Sequence, residues 1–170
     1  MKLRLALVGL LASFAPAAHA DPDPALVARG EYLVTIIDCG GCHTPGALRG
    51  ERDPRRLLAG SEVGFGGSAP MGAMTGGVVY PANLTPDRET GLGSWSDQAI
   101  VDALRHGRRP DGRILIPVMP WPSYARLTDE DAQAIAAYLR SIPPVRNRVP
   151  ANVPPGEPPE SPYLKVVGDR

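Results

Sequence analysis

The chain has 170 residues and a mass of 18.0 kDa, room for one ordinary domain with attachments. Its 43% hydrophobic and 21% charged residues suffice for a core, but 20 prolines and 19 glycines make it too loop-rich for a doubly wound sheet or a β/α barrel. The 18 basic residues cancel the 18 acidic ones, so nucleic acid is not an expected partner. No apolar run reaches the roughly 18 residues that a membrane-spanning helix needs.

Residues 1–20 have the layout of a secretory signal peptide. Met1 to Arg4 is a short positive start, Leu5 to Leu11 is apolar, and Ala18-His19-Ala20 stands where cleavage occurs. Cleavage is favoured over retention as an anchor, because the apolar stretch is short for spanning a bilayer. The mature chain would begin at Asp21 and lose only Lys2 and Arg4 among its charges. Export also changes how the two cysteines read. In an oxidising compartment a Cys-x-x-Cys pair closes into a disulfide unless something else takes the sulfurs.

The periodicity predicts a first helix over about Asp23 to Asp38, capped by Asp21 or Asp23, with Pro24 in its first turn and Leu26, Leu33 and Ile37 as its apolar stripe. It runs straight into Cys39-Gly40-Gly41-Cys42-His43. From Thr44 to Leu92 the sequence is mostly turn residues. So long a structureless segment is tolerable only if it wraps a rigid object that supplies the missing core. A second helix is predicted over Ser96 to His106, with Ser94 and Asp97 spaced as a capping box. A loop follows from Gly107 to Tyr124. The third helix, about Asp129 to Ser141, has Thr128 as its cap, an acidic first turn, apolar Ala132, Ile135, Ala136 and Leu139, and Pro143-Pro144 as its stop. Residues 146–170 are Pro-rich and are expected to form an extended, poorly packed tail.

Cys39-x-x-Cys42-His43 is the pattern for covalent attachment of c-type haem. Two thiols add across the two vinyl groups of the porphyrin, and two intervening residues let both sulfurs reach from one turn. The adjacent histidine is held beneath the ring, where its Nε2 can ligate iron. A redox Cys-x-x-Cys would want a βαβ context that is missing. A zinc site needs four ligands, and no second cysteine pair is present. A plain structural disulfide leaves the histidine unexplained.

The ordered set Gly30-Glu31-Tyr32-Leu33, Cys39 to Thr44, Pro81 to Asp87, Thr90 to Trp95, Met119-Pro120-Trp121 and Thr128 to Pro144 resembles the class I cytochrome c family. The likeness covers most of Asp23 to Val145, and within the family it points to small bacterial cytochromes and cytochrome subunits that accompany periplasmic dehydrogenases. It implies an all-α fold of three to five helices wrapped around one covalently bound haem, with a cytochrome domain over residues 21–145.

A haem iron with one histidine has an open face, and what fills that face separates an electron carrier from a catalyst or gas binder. Downstream candidates are Met71, Met74, His106 and Met119. The resemblance places the family's axial methionine at Met119, between Pro117 and Pro120, with His106 the second choice. It also places at Trp95 a tryptophan whose indole N–H bonds a haem propionate, and Asn83 and Tyr80 are similar candidates, although Asn83 can equally be a turn residue. Arg105, Arg108, Arg109 and Arg113 form a basic turn that can steer an acidic partner, balance the propionates or simply be solvated. A backbone carbonyl is expected to receive the Nδ1–H of His43, but the sequence does not identify it.

The reading is therefore a periplasmic, mono-haem electron carrier. Its cofactor is haem c with iron ligated by His43 and Met119, its redox partners a dehydrogenase donor and an oxidase or other cytochrome acceptor. Membrane association would come only through partners or an uncleaved signal. The competing readings are a haem protein with an open sixth site, acting as peroxidase or gas binder, and a fixed cytochrome subunit of a dehydrogenase complex.

Overall fold

The computed structural model describes residues 23–67 and 77–166. The stretch read as a signal peptide lies outside the described residues, as do Met71 and Met74.

Helix α1 (Pro24–Ile36) begins where the sequence places it, with Asp23 Oδ1 accepting from the Ala25 N–H at 2.9 Å and Pro24 in the first turn. It buries Gly30, Leu33 and Val34. Helix α5 (Asp129–Ser141) is capped by Thr128, whose Oγ1 accepts from the Asp131 N–H at 3.1 Å, and three acidic residues sit on its positive end. The two helices cross at Gly30. A Cβ there would collide with the Ala134 carbonyl and come within 2.7 Å of Tyr138 Cβ, so the crossing depends on the absence of a side chain. Arg29 and Asp131 pair across its edge at 2.9 Å.

Helix α2 (Cys39–His43) carries the cysteine motif, α3 (Asp97–His106) follows the loop-rich middle, and α4 (Trp121–Tyr124) is a short turn of helix inside the segment read as loop. The cap of α3 is Ser96, whose Oγ accepts from the Ala99 N–H at 3.1 Å, and not Ser94. Ile100, Val101, Ala103 and Leu104 of α3 are buried, and Ile100, Val101 and Leu104 join Leu33, Val34, Ile135 and Leu139 in the main apolar cluster. Among the described residues no helix is long and apolar enough to cross a membrane.

The domain is mainly helical, as expected, with a small sheet of order β2-β1-β3 added to the helices. Strand β1 (Gly64–Gly67) is central, antiparallel to β2 (Val78–Val79) and parallel to β3 (Tyr163–Val166), with Phe65 opposite both Val79 and Leu164. Glycines let these strands approach: a Cβ at Gly64 would come within 2.7 Å of Val78 Cγ1, and one at Gly66 within 2.7 Å of the Tyr163 ring. A strand of glycines shows no alternating pattern, which is why the sequence gives no sign of it.

The Pro-rich tail is extended, as composition expects, yet it is packed. Val145 N–H donates to Thr85 Oγ1 at 3.0 Å, and Asn147 Nδ2 donates to the Ala59 carbonyl at 2.8 Å. Val153 bridges antiparallel to Val78, and Tyr80 Oη donates to the Ser161 carbonyl at 3.0 Å. The segment is a strap drawn back over the loop-rich middle and ending as β3. Prolines hold it extended, and polar side chains of the middle segment supply the bonds that composition alone cannot reveal.

Candidate functional site

Helix α1 stops because Asp38 takes a left-handed conformation (φ 52°), one that Asp tolerates better than most residues, and the chain restarts as α2. Cys39 and Cys42 stand three apart on that helix, hence on one face. Gly41 leaves room for Asp38: a Cβ there would come within 2.8 Å of the Asp38 carboxyl carbon. Burial pushes the Cys39 thiol up to about 11 and raises Cys42 too, so both sulfurs are protonated near neutral pH.

The acceptor for His43 is the Ala82 carbonyl, 2.7 Å from Nδ1. A carbonyl can only accept, so Nδ1 carries the proton and Nε2 has its lone pair free. Burial lowers the His43 pKa, which further favours the neutral ring that a metal needs. The carbonyl is held in turn by the loop around it. Ser61 N–H donates to the Pro81 carbonyl at 3.0 Å, Leu84 N–H to the Leu58 carbonyl at 2.8 Å, and Gly60 N–H to the His43 carbonyl at 2.7 Å.

Asn83 is the bolt of that loop. Its Oδ1 accepts from Thr85 N–H at 2.9 Å and Thr85 Oγ1 at 2.8 Å, while Nδ2 donates to the Val145 carbonyl at 2.7 Å and to Thr90 Oγ1 at 3.1 Å. Both ends of the amide are bonded to protein groups, so Asn83 holds backbone here while also lining the polar cavity described below. Asn83→Ala strips partners from several buried groups and is expected to lower stability by about 3 kcal/mol, measured by denaturant unfolding. Tyr80 likewise commits its hydroxyl to the strap at Ser161, leaving its ring, not its O–H, for the cavity wall.

Cys39, Cys42 and His43 line a cavity of about 440 Å³, a size ordinary for a cofactor site. Leu84, Leu92, Ile100, Leu104, Ile135 and Leu139 give it apolar walls, and Met119 lines it as well. His106 is exposed and lies outside that lining. Among the described residues no group of three or more His, Cys, Asp or Glu converges as a metal site, so nothing supports the zinc alternative there.

Two residues that the sequence reading missed order the loop before Met119. The Trp121 indole Nε1 donates to the Leu115 carbonyl at 2.9 Å, and its ring lies against Gly107. Gly107 has φ 63° and a Cβ there would stand 2.7 Å from the ring, so both its conformation and its bareness are required. The signal was available in the sequence: a glycine closing an amphipathic helix, with a tryptophan in the following loop.

A second, more polar cavity of about 400 Å³ adjoins the first, with Tyr80, Trp95, Arg109, Arg113 and Asn152 among the residues common to both. The Arg109 guanidinium lies over the Trp95 ring, 5.0 Å from its centroid. Arg109 pairs with Asp111 at 3.2 Å; burial, and then the charge of Arg109, lower the pKa of Arg113 while Asp111 raises it, so the three side chains together leave a net positive charge here. Arg105 instead pairs with Asp129, and Arg108 is exposed. Trp95 is placed by Arg140 of α5, which donates to the Leu92 carbonyl at 3.2 Å and to the Trp95 carbonyl, and pairs with Asp97 at 2.9 Å. Two thiols on one face, a histidine of set tautomer, a thioether, apolar walls and a cationic end together suit a flat apolar metallo-macrocycle bearing carboxylates.

The family model described as cytochrome C oxidase, cbb3-type, subunit III matches residues 25–139. The chain belongs to this family of c-type cytochromes. The cytochrome is 39% identical over 149 residues to the cytochrome c subunit of alcohol dehydrogenase (quinone) from Gluconobacter oxydans, a match covering 85% of this chain and 28% of that protein. It is 40% identical over 146 residues to the gluconate 2-dehydrogenase cytochrome c subunit of Pantoea cypripedii, covering 85% of this chain and 30% of the relative. A diheme cytochrome c-type protein of Cereibacter sphaeroides is 32% identical over 116 residues, covering 68% of this chain and 36% of the relative. This cytochrome thus spans less than a third of the length of the two dehydrogenase subunits. Haem c with its iron is the cofactor of such a domain, and electron transport is its work. The strap beyond Val145 lies outside the segment that the family model matches.

Proposed function

We propose that this chain is a class I, periplasmic, mono-haem cytochrome c. In this reading Cys39 and Cys42 bond one haem, His43 and Met119 ligate its iron, and single electrons pass between a dehydrogenase and a further acceptor. The observation that carries the reading is the His43 Nδ1 bond to the Ala82 carbonyl at 2.7 Å, which leaves Nε2 free beside two cysteines in a cavity that Met119 also lines. The two cysteines of this sequence, Cys39 and Cys42, support a count of one haem for it.

Bound haem supplies a one-electron couple between Fe(III) and Fe(II). The rest is done by the chain. The Ala82 carbonyl orients His43 and strengthens it as a ligand. Leu84, Leu92, Ile100, Leu104, Ile135 and Leu139 exclude water, which limits reorganisation when charge moves and favours the less charged reduced state. Arg109, Arg113 and Trp95 face the carboxylate end.

The test is an absorption spectrum of the exported protein, oxidised and reduced, with and without carbon monoxide. Low-spin haem with a methionine charge-transfer band and no carbon monoxide effect is expected. High-spin iron that binds carbon monoxide readily would replace this reading with an open-site enzyme or gas binder. The double variant Cys39→Ser/Cys42→Ser is expected to lose all haem on a denaturing gel stained for peroxidase activity, where the wild type keeps it.

A second reading rests on the relatives, which are named as cytochrome subunits of alcohol and gluconate dehydrogenases. The chain would then sit as a fixed electron-transfer subunit, without itself being the catalytic one. Co-purification of a dehydrogenase with the tagged chain supports the fixed subunit, and a free monomer supports the diffusing carrier.

A further inference from the structure

We infer that Asn152, on the strap, is a positioning residue that presents its amide N–H to the carboxylate end of the cofactor. The inference rests on the haem reading above and concerns a segment outside the family-matched residues 25–139. Asn152 Oδ1 accepts from the Tyr80 backbone N–H at 3.0 Å. Because that N–H can only donate, the amide cannot be turned over, and Nδ2 is the end left for another partner. Among the described residues Nδ2 has none.

Asn152 lines both the apolar cavity and the polar one beside it, in company with Trp95, Arg109 and Arg113. Arg113 and Arg109, the latter also paired with Asp111 at 3.2 Å, bring net positive charge to the same place, and an amide donor adds a further partner for an anion. The strap does not drape loosely there. The Val78–Val153 bridge, with N–H···O distances of 2.9 and 2.8 Å, fixes the residue after Asn152, and Asn147 is tied to Ala59 at 2.8 Å on the other side. One anchor on each side of this exposed residue, with its own bond to the Tyr80 N–H, restrains the side chain and lowers the ordering cost of meeting an anion.

The experiment uses the full exported, haem-loaded chain and two variants, Asn152→Asp and Asn152→Ala. In Asn152→Asp a carboxylate oxygen still accepts the Tyr80 N–H, so amide exchange at Tyr80 stays at the wild-type rate, while the donor becomes an anion. Its midpoint potential is expected to fall, and the propionate-bending band of the resonance Raman spectrum to shift. In Asn152→Ala the Tyr80 amide is expected to exchange about tenfold faster, as for one lost hydrogen bond, and the same Raman band to move. Wild-type potential and Raman bands in both haem-loaded variants would overturn the inference and leave Asn152 a strap anchor only. A wild-type chain that attaches no haem would instead overturn the haem reading, and this inference with it.

Discussion

Met119→Ala is expected to keep the covalent haem, lower the midpoint potential by on the order of 0.1–0.3 V, and open the iron to carbon monoxide. The sign follows from ligand chemistry. A thioether stabilises Fe(II) relative to Fe(III), and axial ligands tune haem iron over about 0.8 V in all, so exchanging one for water moves a fraction of that span. Attachment survives because it depends on Cys39 and Cys42, which lie on α2, far along the chain from the loop that bears Met119. Trp121 against Gly107 and the backbone bonds of residue 119 to Ile116 and Trp121 order that loop, and all of them survive the substitution, so the variant should fold. Redox titration and a carbon monoxide difference spectrum give the answer. A retained sulfur-ligated spectrum would point to another sulfur, and the remaining downstream methionines are Met71 and Met74.

Gly30→Ala is expected to cost about 3 kcal/mol or more and to lower Tm by roughly 10 °C. One methyl group carries so large an effect because its neighbour is backbone. The added carbon would collide with the Ala134 carbonyl, and Tyr138 Cβ stands 2.7 Å away, so relief requires α1 and α5 to move apart. Those helices bury Leu33, Val34, Ile135 and Leu139 between them and their neighbours, and separating them loosens the wall of the cavity at Ile135 and Leu139. Haem yield on export should fall along with Tm. Gly67→Ala serves as the control, since among the described residues nothing lies within 4 Å of a Cβ there, and it should stay within about 0.5 kcal/mol of wild type. Equal losses in the two variants would mean that backbone flexibility, not the helix crossing, governs stability.

The three long helices and the haem motif were legible in the sequence because both are local. Caps at Asp23 and Thr128, the apolar period of α3 and α5, and the Cys39-x-x-Cys42-His43 spacing all lie within a few turns of chain, where 3.6-residue periodicity and hydrogen-bond capping act directly. Even there one detail slipped: Ser94 and Asp97 match a capping spacing, but Ser96 makes the bond.

What tertiary structure alone decided is a matter of partners far apart in sequence. Asn83 looks the same on paper whether it faces a propionate or a carbonyl, and only the return of the chain to Val145 settles that its amide holds a loop. The Ala82 carbonyl that orients His43 stands 39 residues from it, and backbone carbonyls carry no sequence signature at all. The strap is the plainest case. Twenty-odd Pro-rich residues read as a loose tail because their own side chains bury little. They are held by bonds to Thr85, Thr90, Ala59 and Tyr80 and by strand pairing with glycine-rich β1, none of which composition records. Sequence by itself determined the Cys-x-x-Cys-His turn and the long helices, since spacing over a few turns of backbone specifies both. Which polar groups face the cofactor and which merely hold the chain depended on long-range closure, because a hydrogen-bonding side chain takes its role from whatever the fold brings beside it.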